Sequence, residues 1–442
     1  MAGRDEGRAG KVDGAVSVKG TVVYVSSDAV NRQGMPDAFM LQELPWLQAR
    51  FDHVLLVSYY GTADLTETGS EGLRRIPVKG SRAAVWQAWF RAPFAPEFWR
   101  ELFRLVRNRR LTPRNCLKLL LFTIRGHKLH LWLEKLLHTR DLSHTTLYAF
   151  WMSYEAYAAA LSKRKHPELR FVGRGHAFDI DEERNPLNPY LMKRFIAEAA
   201  DELYLISRYA AEQYLRYMGG QGAEAKTRVA GLGSAGEPME GCKDPPAFAG
   251  GTLRVVSCAA ISEIKQVPLW IDALALWEGT RLHWLHLGGG PDEEAVRAYA
   301  AQRLTGHERV SYTFAGRISH EDVLKTYEEQ AFDLFVNTSR LEGGPVSIME
   351  AMRAGIPVLA PRVGGIPEMV DEDVGLLYEP EGGAEAVWKA LREFAALPRE
   401  KVTEMRQNAQ KRWRERYWLE MQLRLLFPHG EAKQSKNGEA RV

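Results

Sequence analysis

The stretch that decides the fold runs from Asn337 to Glu368, NTSRLEGGPVSIMEAMRAGIPVLAPRVGGIPE. It follows a buried apolar run, and its pattern predicts a polar loop and a helix that begins near Pro345, where the missing N–H of proline costs nothing. The helix ends at Gly355. A strand, a glycine-containing loop and a helix in this order place unpaired N–H groups and the positive end of the helix dipole at one point. We expect an anion such as a diphosphate to bind there, flanked by Glu342 and Glu350.

Continuous apolar runs alternate with helical segments on both sides of this stretch. Thr21 to Ser26 is the first run, and Leu253 to Cys258 begins a second series after a region rich in glycine and proline. Buried strands that alternate with helices are typical of parallel sheets. The pattern predicts an α/β chain with two Rossmann-like, doubly wound domains. Their ligand-binding edges are expected to face each other across a cleft.

The same alternation divides the chain into predicted segments. The tail after Pro428 is polar, and a segment of such composition does not bury a core. The predicted segments are a disordered N-terminal segment (1–20), an N-terminal domain (21–235), a linker (236–251), a C-terminal domain (252–411), a helix that crosses back to the first domain (412–428) and a disordered tail (429–442).

Composition and charge argue against several classes of protein. The net charge of the 442 residues is only +3, so we expect no nucleic-acid partner. The three cysteines form no CxxC pair, which argues against a disulfide framework and against structural zinc. The N-terminus lacks the apolar core of a signal peptide, and no apolar run approaches the ~18 residues of a membrane span. We therefore expect a cytoplasmic protein.

The segment from Arg82 to Arg140 is strongly basic, with thirteen Lys or Arg residues against three Glu residues, an excess of ten. Arginines and apolar side chains fall on different faces of a predicted helix within it. The apolar residues at helical spacing are Phe98, Trp99, Leu102, Phe103 and Val106. A basic amphipathic helix at an anionic membrane surface has this pattern, and so does a helix that packs on the domain with a solvated basic face. We predict an amphipathic insertion near 82–140 and leave both interpretations open.

The sequence RGHAFD, from Arg174 to Asp179, follows a predicted strand of the first domain. The carboxyl end of a strand is where an open α/β sheet places its ligand groups. A structural histidine is the ordinary interpretation of His176, but its position between Arg174 and Asp179 favours a role in a site. Asp179 and Asp181 could also be a pair of metal ligands, but no other ligand cluster supports this, and we predict no metal.

The sequence GLGSAG, from Gly231 to Gly236, matches the dinucleotide-binding fingerprint GxGxxG. That fingerprint requires a helix that opens at its last glycine. Several prolines and glycines follow here, so no helix is expected, and the match is interpreted as chance. A nicotinamide-dependent dehydrogenase would rest on this match alone.

The segment DLFVNTSRLEGGPVSIMEAMRAGIPVLAPRVGGIPEMV resembles the signature of the family 4 retaining glycosyltransferases of the GT-B fold. Their hallmark is two glutamates separated by seven residues, here Glu342 and Glu350. Further similarity lies in SCAAISEIKQVPLWIDAL, LHLGGGPDEE, FAGRISHEDVLKTYE, RGHAFDI and KRWRERY. The resemblance covers the chain from about residue 145 to about residue 420. It implies an acceptor-side N-terminal domain and a C-terminal domain that binds a nucleotide sugar.

The resemblance also implies a role for each candidate residue. Glu350 would accept hydrogen bonds from the ribose hydroxyls, Glu342 would lie at the transferred sugar, and Lys265 would neutralise the leaving diphosphate. His176 would line the sugar site from the opposite domain. The remaining implied residues are Gly343, Gly344, Val346, Ser347, Arg317 and Ile318 for the donor, and Arg174 and Asp179 for the acceptor or the sugar.

The implied activity is a metal-independent hexosyl or glycosyl transfer with retention, without a cofactor. The co-substrate would be a UDP- or GDP-linked sugar, and the acceptor would be a lipid-linked or polysaccharide precursor. The basic region before residue 140 suggests that the acceptor is lipid-linked and that the enzyme is peripheral on the inner face of the cytoplasmic membrane.

The sequence departs from the family pattern at two positions, Ala260 and Pro345. Many relatives carry an arginine at the position of Ala260, so one cationic partner of the diphosphate is absent, and Arg317 or Arg174 could substitute for it. Many relatives carry a glycine at the position of Pro345, and proline has no N–H, so this chain also lacks one N–H donor of that loop. The alternative function is therefore a catalytically weak or inactive sugar-nucleotide-binding protein of the same fold.

A glycosidase is a further alternative for two paired glutamates. Its two carboxyl groups would lie about 5 to 9.5 Å apart. Eight residues of largely helical chain predict roughly 12 Å between Glu342 and Glu350, which is too far.

Overall fold

A computed structural model of the chain describes residues 18–26, 38–58, 73–78, 82–176, 180, 191–218, 223–237 and 251–428. Most of the predicted N-terminal segment and the whole predicted tail lie outside these residues. So do residues 238–250 of the predicted linker, and Asp179 with Asp181.

Among the described residues, seven strands form the first sheet. They are β1 (Val18–Ser26), β2 (Phe51–Ser58), β3 (Leu73–Pro77), β4 (Thr145–Ala149), β5 (Arg170–Gly175), β6 (Glu202–Leu205) and β7 (Thr227–Val229). The order is β3-β2-β1-β4-β5-β6-β7, and all neighbours are parallel. The helices of this half are α1 (Ala38–Gln48), α2 (Arg82–Arg91), α3 (Pro96–Arg107), α4 (Pro113–Leu137), α5 (Tyr154–Lys165), α6 (Lys193–Ala199) and α7 (Arg208–Met218).

Six strands form the second sheet in the part of the chain that the structure describes. They are β8 (Leu253–Cys258), β9 (Leu282–Leu287), β10 (Val310–Phe314), β11 (Leu334–Val336), β12 (Val358–Pro361) and β13 (Gly375–Tyr378). The order is β10-β9-β8-β11-β12-β13, again with parallel neighbours. The helices of this half are α8 (Val267–Ala275), α9 (Glu293–Leu304), α10 (His320–Glu329), α11 (Val346–Arg353), α12 (Gly383–Ala395), α13 (Arg399–Arg416) and α14 (Leu419–Leu426).

Both sheets are doubly wound. In the first sheet, β2 and β3 lie on one side of β1, and β4 to β7 lie on the other. In the second sheet, β9 and β10 lie on one side of β8, and β11 to β13 lie on the other. The strand order therefore reverses next to β1 and next to β8. The central strands are buried on both faces, which explains their continuous apolar sequences: Val22, Val23, Tyr24 and Val25 are all fully buried. The structure confirms the predicted α/β architecture of two Rossmann-like sheets. The reversal points are where such sheets bind ligands.

The end of the described chain crosses back to the first sheet as two helices rather than one. A single helix is predicted from Arg412 to Leu426, but α13 ends before Tyr417 and α14 begins after Trp418. Phe427, which follows α14, packs its ring 5.3 Å from Tyr148 and 5.5 Å from Phe51, between ring centroids. The apolar core of the first sheet therefore includes residues from the far end of the chain.

Helices α2, α3 and α4 form the basic insertion predicted near 82–140. The apolar residues of α3 divide between two environments: Phe98 and Leu105 are buried in the core, whereas Trp99 and Phe103 are exposed. Helix α3 therefore has one side packed on the domain and one side exposed. No helix within the described residues is both long enough and apolar enough to span a membrane.

Candidate active site

The loops that follow β8 and β11 meet at the reversal point of the second sheet, where β8 and β11 are neighbours. The β8 loop contains a short 3-10 helix, Glu263–Lys265. The β11 loop contains Glu342 and leads into α11. Two loops that leave adjacent strands in this way form the sides of one crevice. The site is therefore built at the second sheet's switch point.

Helix α11 begins where the sequence predicts. Pro345 is its N-cap, with extended backbone angles (φ −69°, ψ 115°), and Val346 is the first helical residue. Gly355 follows the last turn with a φ of +64°, a conformation that favours glycine, and its N–H donates to the Met352 carbonyl oxygen at 2.9 Å. The N–H groups of Val346 and Ser347 lie in the first turn, where a helix offers no acceptor of its own. This end of α11 can bind an anion.

The turn at Gly364 and Gly365 supports the loop that precedes α11. Gly364 has a φ of +53°, and a Cβ atom there would overlap the carbonyl oxygen of Glu342. The Gly365 N–H donates to the same oxygen at 2.9 Å. The backbone of Glu342 is therefore fixed by a neighbouring loop that only glycine allows to approach so closely.

Lys265 and Glu342 form an ion pair in this crevice, between Nζ and Oε1. The Glu342 side chain is buried, whereas the Lys265 side chain is 24% exposed. Backbone contacts hold the two loops together: Thr338 Oγ1 donates to the Lys265 carbonyl oxygen at 3.0 Å, and the Arg340 N–H donates to the Ile264 carbonyl oxygen at 2.8 Å. The structure thus brings together two residues that lie 77 positions apart in the sequence.

Glu350 has a different cationic partner. Its buried Oε1 lies 2.6 Å from Nε2 of His320, the first residue of α10. The hydrogen bond with Glu350 raises the pKa of His320 above its ordinary value, although partial burial opposes the shift. The sequence analysis did not identify His320. The only available signal was its place in FAGRISHEDVLKTYE, which carries the resemblance but does not indicate which residue faces α11.

The loop between β10 and α10 lies at the same edge of the second sheet. The Gly288 N–H donates to the Gly316 carbonyl oxygen at 3.0 Å, which joins this loop to the end of β9. Arg317, an exposed residue, and Ile318, which is partly buried, follow in this loop. Both predicted donor residues therefore lie between Gly316 and the His320–Glu350 pair.

The first sheet contributes the opposite side of the crevice. A Cβ atom at Gly344 would lie 3.4 Å from the Ile206 carbonyl oxygen, so the loop before α11 contacts the end of β6 directly. Glu368 accepts hydrogen bonds from the Arg208 N–H at 2.9 Å and from the Tyr209 N–H at 2.6 Å. These N–H groups begin α7, and a carboxylate stabilises the positive end of a helix. The second half of the chain thus caps a helix of the first.

His176 is buried at the end of β5. Its ring packs 4.6 Å from the ring of Phe150 and 4.4 Å from the ring of Trp151, between centroids. Burial lowers the pKa of His176 well below its ordinary value, and the charge of Arg174 adds to this effect. The imidazole is therefore neutral at pH 7.

Arg174, which the sequence predicts at the sugar or acceptor site, is not accessible to a ligand in this structure. The side chain is fully buried, where it forms an ion pair with Glu43 and donates to the Gly231 carbonyl oxygen. Tyr148 Oη accepts a further hydrogen bond from Arg174 Nη1 at 3.2 Å. This arginine is part of the core of the first half, and it cannot replace the missing cation at Ala260. Asp179 lies outside the described residues, so its role stays a prediction.

The GLGSAG sequence forms part of the crossing between the two halves. Within the described residues up to Glu237, no helix follows it. The Ser234 N–H donates to the Tyr417 carbonyl oxygen at 2.9 Å, and Ser234 Oγ accepts from Trp413 Nε1 at 2.6 Å. The segment packs against the helices that return to the first sheet, in agreement with its interpretation as a chance match.

Ala260 is exposed in the loop after β8. The loop itself is fixed, because the Ile261 N–H donates to the Gly289 carbonyl oxygen at 3.0 Å. An arginine side chain at this position would extend from the surface without displacing a core residue. Among the described residues, no group of three or more His, Cys, Asp or Glu side chains is arranged to hold a metal ion.

Sequence comparison places the second half of the chain in a known family. Residues 243–412 match the family described as glycosyl transferases group 1. The chain is 30% identical over 168 residues to the putative colanic acid biosynthesis glycosyltransferase WcaL of Escherichia coli, which covers 36% of this chain and 40% of that protein. It is also 30% identical over 143 residues to the amylovoran biosynthesis glycosyltransferase AmsK of Erwinia amylovora, which covers 30% and 34%. The chain thus spans well under half the length of these relatives.

Structure comparison extends the similarity to both halves. The crystal structure of Anabaena Alr3699/HepE in complex with UDP-glucose superposes with a TM-score of 0.62 at 17% identity, over 92% of this chain and 98% of that one. At this identity the likeness concerns the fold. Residues 243–412 therefore match the glycosyl transferases group 1 family, and the two doubly wound sheets of the chain have the GT-B fold.

Proposed function

We propose that this chain is a glycosyltransferase that moves a sugar from a nucleoside diphosphate donor to an acceptor hydroxyl, with retention of the anomeric configuration. The observation that carries the proposal is the Lys265–Glu342 pair beside the first turn of α11, in a group 1 domain. A diphosphate leaving group needs cations and N–H donors, and this crevice offers both.

Each residue has a separate role in the proposed reaction. The N–H groups of Val346 and Ser347, with Gly343 and Gly344 before them, receive the diphosphate. Lys265 exchanges its contact with Glu342 for the leaving phosphate, which frees the Glu342 carboxylate for the hydroxyls of the transferred sugar.

The remaining residues complete the site from both halves. Glu350 accepts from the ribose hydroxyls, and Arg317 and Ile318 lie beside the donor. His176 lines the sugar site from the first domain as a neutral imidazole. The leaving phosphate helps to deprotonate the acceptor, so the proposed reaction requires neither a metal ion nor a carboxylate nucleophile.

The relatives support a polysaccharide precursor as the acceptor, free or lipid-linked. Two of them are named as glycosyltransferases of colanic acid and of amylovoran biosynthesis, and a structure of similar fold contains UDP-glucose. We propose a UDP- or GDP-linked sugar as the donor.

Thermal unfolding with UDP, GDP or ADP tests the donor site first, because a ligand that binds only the folded protein raises its stability by mass action. We expect UDP or GDP to raise the melting temperature and NAD to leave it unchanged. Transfer from the corresponding nucleotide sugar to a glycan or lipid-linked acceptor tests the enzyme itself. If no nucleoside diphosphate binds, the proposal is wrong.

The alternative is a sugar-nucleotide-binding protein with weak or no turnover, which Ala260 favours. Donor hydrolysis in the absence of an acceptor separates the two functions. An active enzyme hydrolyses the donor slowly, and the Lys265→Ala variant does so far more slowly. A protein that binds the nucleotide and neither transfers nor hydrolyses the sugar has the alternative function.

We propose further that the chain binds an anionic membrane surface through helices α2 and α3. Large apolar side chains are exposed here: Trp86 (65%), Phe90 (68%), Phe94 (81%) and Phe103 (68%), together with Trp89, Trp99 and Val106. Aromatic side chains of this kind suit the boundary between lipid headgroups and acyl chains. We call this set of residues the aromatic surface.

Basic residues surround the aromatic surface and favour lipid as its partner. Arg91, Arg100, Arg107, Arg109 and Arg114 are all exposed. Each basic residue near an anionic bilayer contributes about 1 kcal/mol, and this attraction is screened by salt. A position at the membrane would bring the proposed crevice close to a lipid-linked acceptor.

Sedimentation with vesicles tests this proposal. We expect binding to vesicles that contain phosphatidylglycerol, weaker binding at high salt, and little binding to phosphatidylcholine alone. The double variant Trp99→Ala/Phe103→Ala should release the protein. Leu276→Ala, which alters an exposed apolar residue of the second half, should have no effect. Absence of binding even at low salt would mean that the membrane proposal is wrong.

A further inference from the structure

His320, which forms a hydrogen bond with Glu350, is given no role in the function proposed above. Nε2 of His320 forms a hydrogen bond with the buried Oε1 of Glu350, and the two atoms lie 2.6 Å apart. The histidine side chain is one third exposed, whereas that of Glu350 is 5% exposed. The pair therefore lies at the boundary of the crevice, with its carboxylate inside and its imidazole at the opening.

His320 is fixed by elements other than the helix that carries Glu350. Ser319 caps α10, because its Oγ accepts from the Asp322 N–H at 3.1 Å. The loop before it is joined to the end of β9 through Gly316. The imidazole thus approaches Glu350 from a second, independently supported segment of the second sheet. A contact of this kind can hold a side chain in one rotamer.

A ribose diol needs a carboxylate in a defined orientation. A carboxylate offers about four acceptor positions, so one N–H from His320 leaves several for two hydroxyl groups. Without that N–H, the buried carboxylate loses a partner and can adopt other rotamers, which weakens bidentate binding.

The nearby Arg353 does not replace the histidine. Its Nε donates to the Glu237 carbonyl oxygen at 2.9 Å, and its Nη2 lies 3.7 Å from Glu328 Oε1. The guanidinium is therefore engaged by Glu237 and Glu328, and no hydrogen bond to Glu350 is among its described contacts. Among the contacts described for the Glu350 carboxylate, the one from His320 is the ion pair that can orient it.

We propose that His320 is a positioning residue that orients Glu350 for the 2′- and 3′-hydroxyls of the donor ribose, and so sets the preference for ribonucleotides over deoxyribonucleotides. This inference rests on the proposed function, because it requires Glu350 to face the donor ribose. It adds a second residue, on a different helix, to the recognition of the ribose.

Calorimetric titration with UDP and 2′-deoxy-UDP, and with GDP and 2′-deoxy-GDP, tests the inference. We expect the wild type to bind the better ribonucleotide about tenfold or more tightly than its deoxy form, the range of a hydrogen bond to a charged group. His320→Ala should reduce this ratio to about twofold, chiefly by weakening ribonucleotide binding. His320→Gln, whose amide can donate to Glu350, should restore much of the ratio.

The deoxynucleotide is the internal control for folding, since a merely structural role for His320 would weaken both ligands equally. Glu350→Gln should lower the ratio in the same way as His320→Ala. If His320→Ala keeps the wild-type ratio, the inference is wrong while the proposed function stands. If the wild type binds none of these nucleotides, the proposed function is wrong and the inference is wrong with it.

Discussion

Lys265 and Arg174 are cations at the ligand-binding edges of the two sheets, and each forms an ion pair with a glutamate. Their surroundings differ. Lys265 is 24% exposed and lies on a loop, so a ligand can take over its contact with Glu342, whereas Arg174 is fully buried on β5 and bonded to Glu43, Tyr148 and the backbone. A position at the end of a strand therefore does not by itself make a residue part of a site. Access and an exchangeable partner are also required.

The largest effect is expected for Arg174→Ala, which leaves the Glu43 carboxylate buried without its cation. Such a change costs about 3–5 kcal/mol of unfolding free energy. Urea unfolding measures it. Arg164→Ala is the control in the same half, because its ion pair with Glu198 is exposed and should contribute less than about 1 kcal/mol. If Arg174→Ala is as stable as the wild type but fails to bind the acceptor, Arg174 is a site residue and not a structural cation.

Lys265→Ala should act on turnover instead of on stability. Loss of a preorganised charge at a leaving group lowers the rate by about 100- to 1000-fold. Steady-state transfer assays measure this change, with urea unfolding alongside. Lys389→Ala, which removes an exposed lysine from α12, should change neither property. If Lys265→Ala transfers the sugar at the wild-type rate, Lys265 has a structural role, like Arg174, and no role in turnover.

A smaller effect is expected for Glu368→Ala, which removes the carboxylate that the second half supplies to the N-terminus of α7, while Ser207 Oγ still accepts from the Ala210 N–H. The loss of a carboxylate at a helix N-terminus costs about 0.3–1 kcal/mol. Scanning calorimetry should show a lower melting temperature for the α7-containing half. Glu379→Ala, at an exposed ion pair with Arg362, is the control and should leave the melting curve unchanged. Equal curves for both variants would contradict a stabilising contact between the halves.

The smallest effect concerns pH. Glu350 raises the pKa of His320, so the protonated histidine stabilises the folded state at pH values below the ordinary pKa of histidine. This contribution is lost as the pH rises through the raised pKa of the folded state. Arg353 lies close enough to oppose the shift. We expect His320→Ala to lower the unfolding free energy more at pH 6 than at pH 9. An equal loss at the two values would mean that His320 is neutral in the pair.

Much of the second half was predictable because its signals are local. The start of α11 at Pro345, its end at Gly355 and the turn at Gly364 all lie within the stretch 337–368. Proline and glycine indicate specific backbone conformations, so these features can be predicted locally. The pairing of Lys265 with Glu342 was not predictable from spacing, since it depends on β8 and β11 being neighbours. The resemblance assigned both residues to one site, and the topology explains why they meet.

The first half was less predictable because its contacts are distant in sequence. The partner of Arg174 is Glu43, 131 residues away, and no local pattern indicates that pair. The division of α3 into a buried and an exposed apolar side depends on where the helix packs. Helical periodicity identified the apolar residues, but it does not indicate which of them the domain covers.

The return of Phe427 to the first sheet has a consequence for synthesis. Its ring contacts Tyr148, Phe51 and Trp46, which the ribosome delivers several hundred residues earlier. Domains generally fold in the order in which they are translated. Here the N-terminal half completes its core only after the entire second half has been made. The aromatic cluster of the first half is therefore completed by the last helix that the structure describes, α14, and by the residue that follows it.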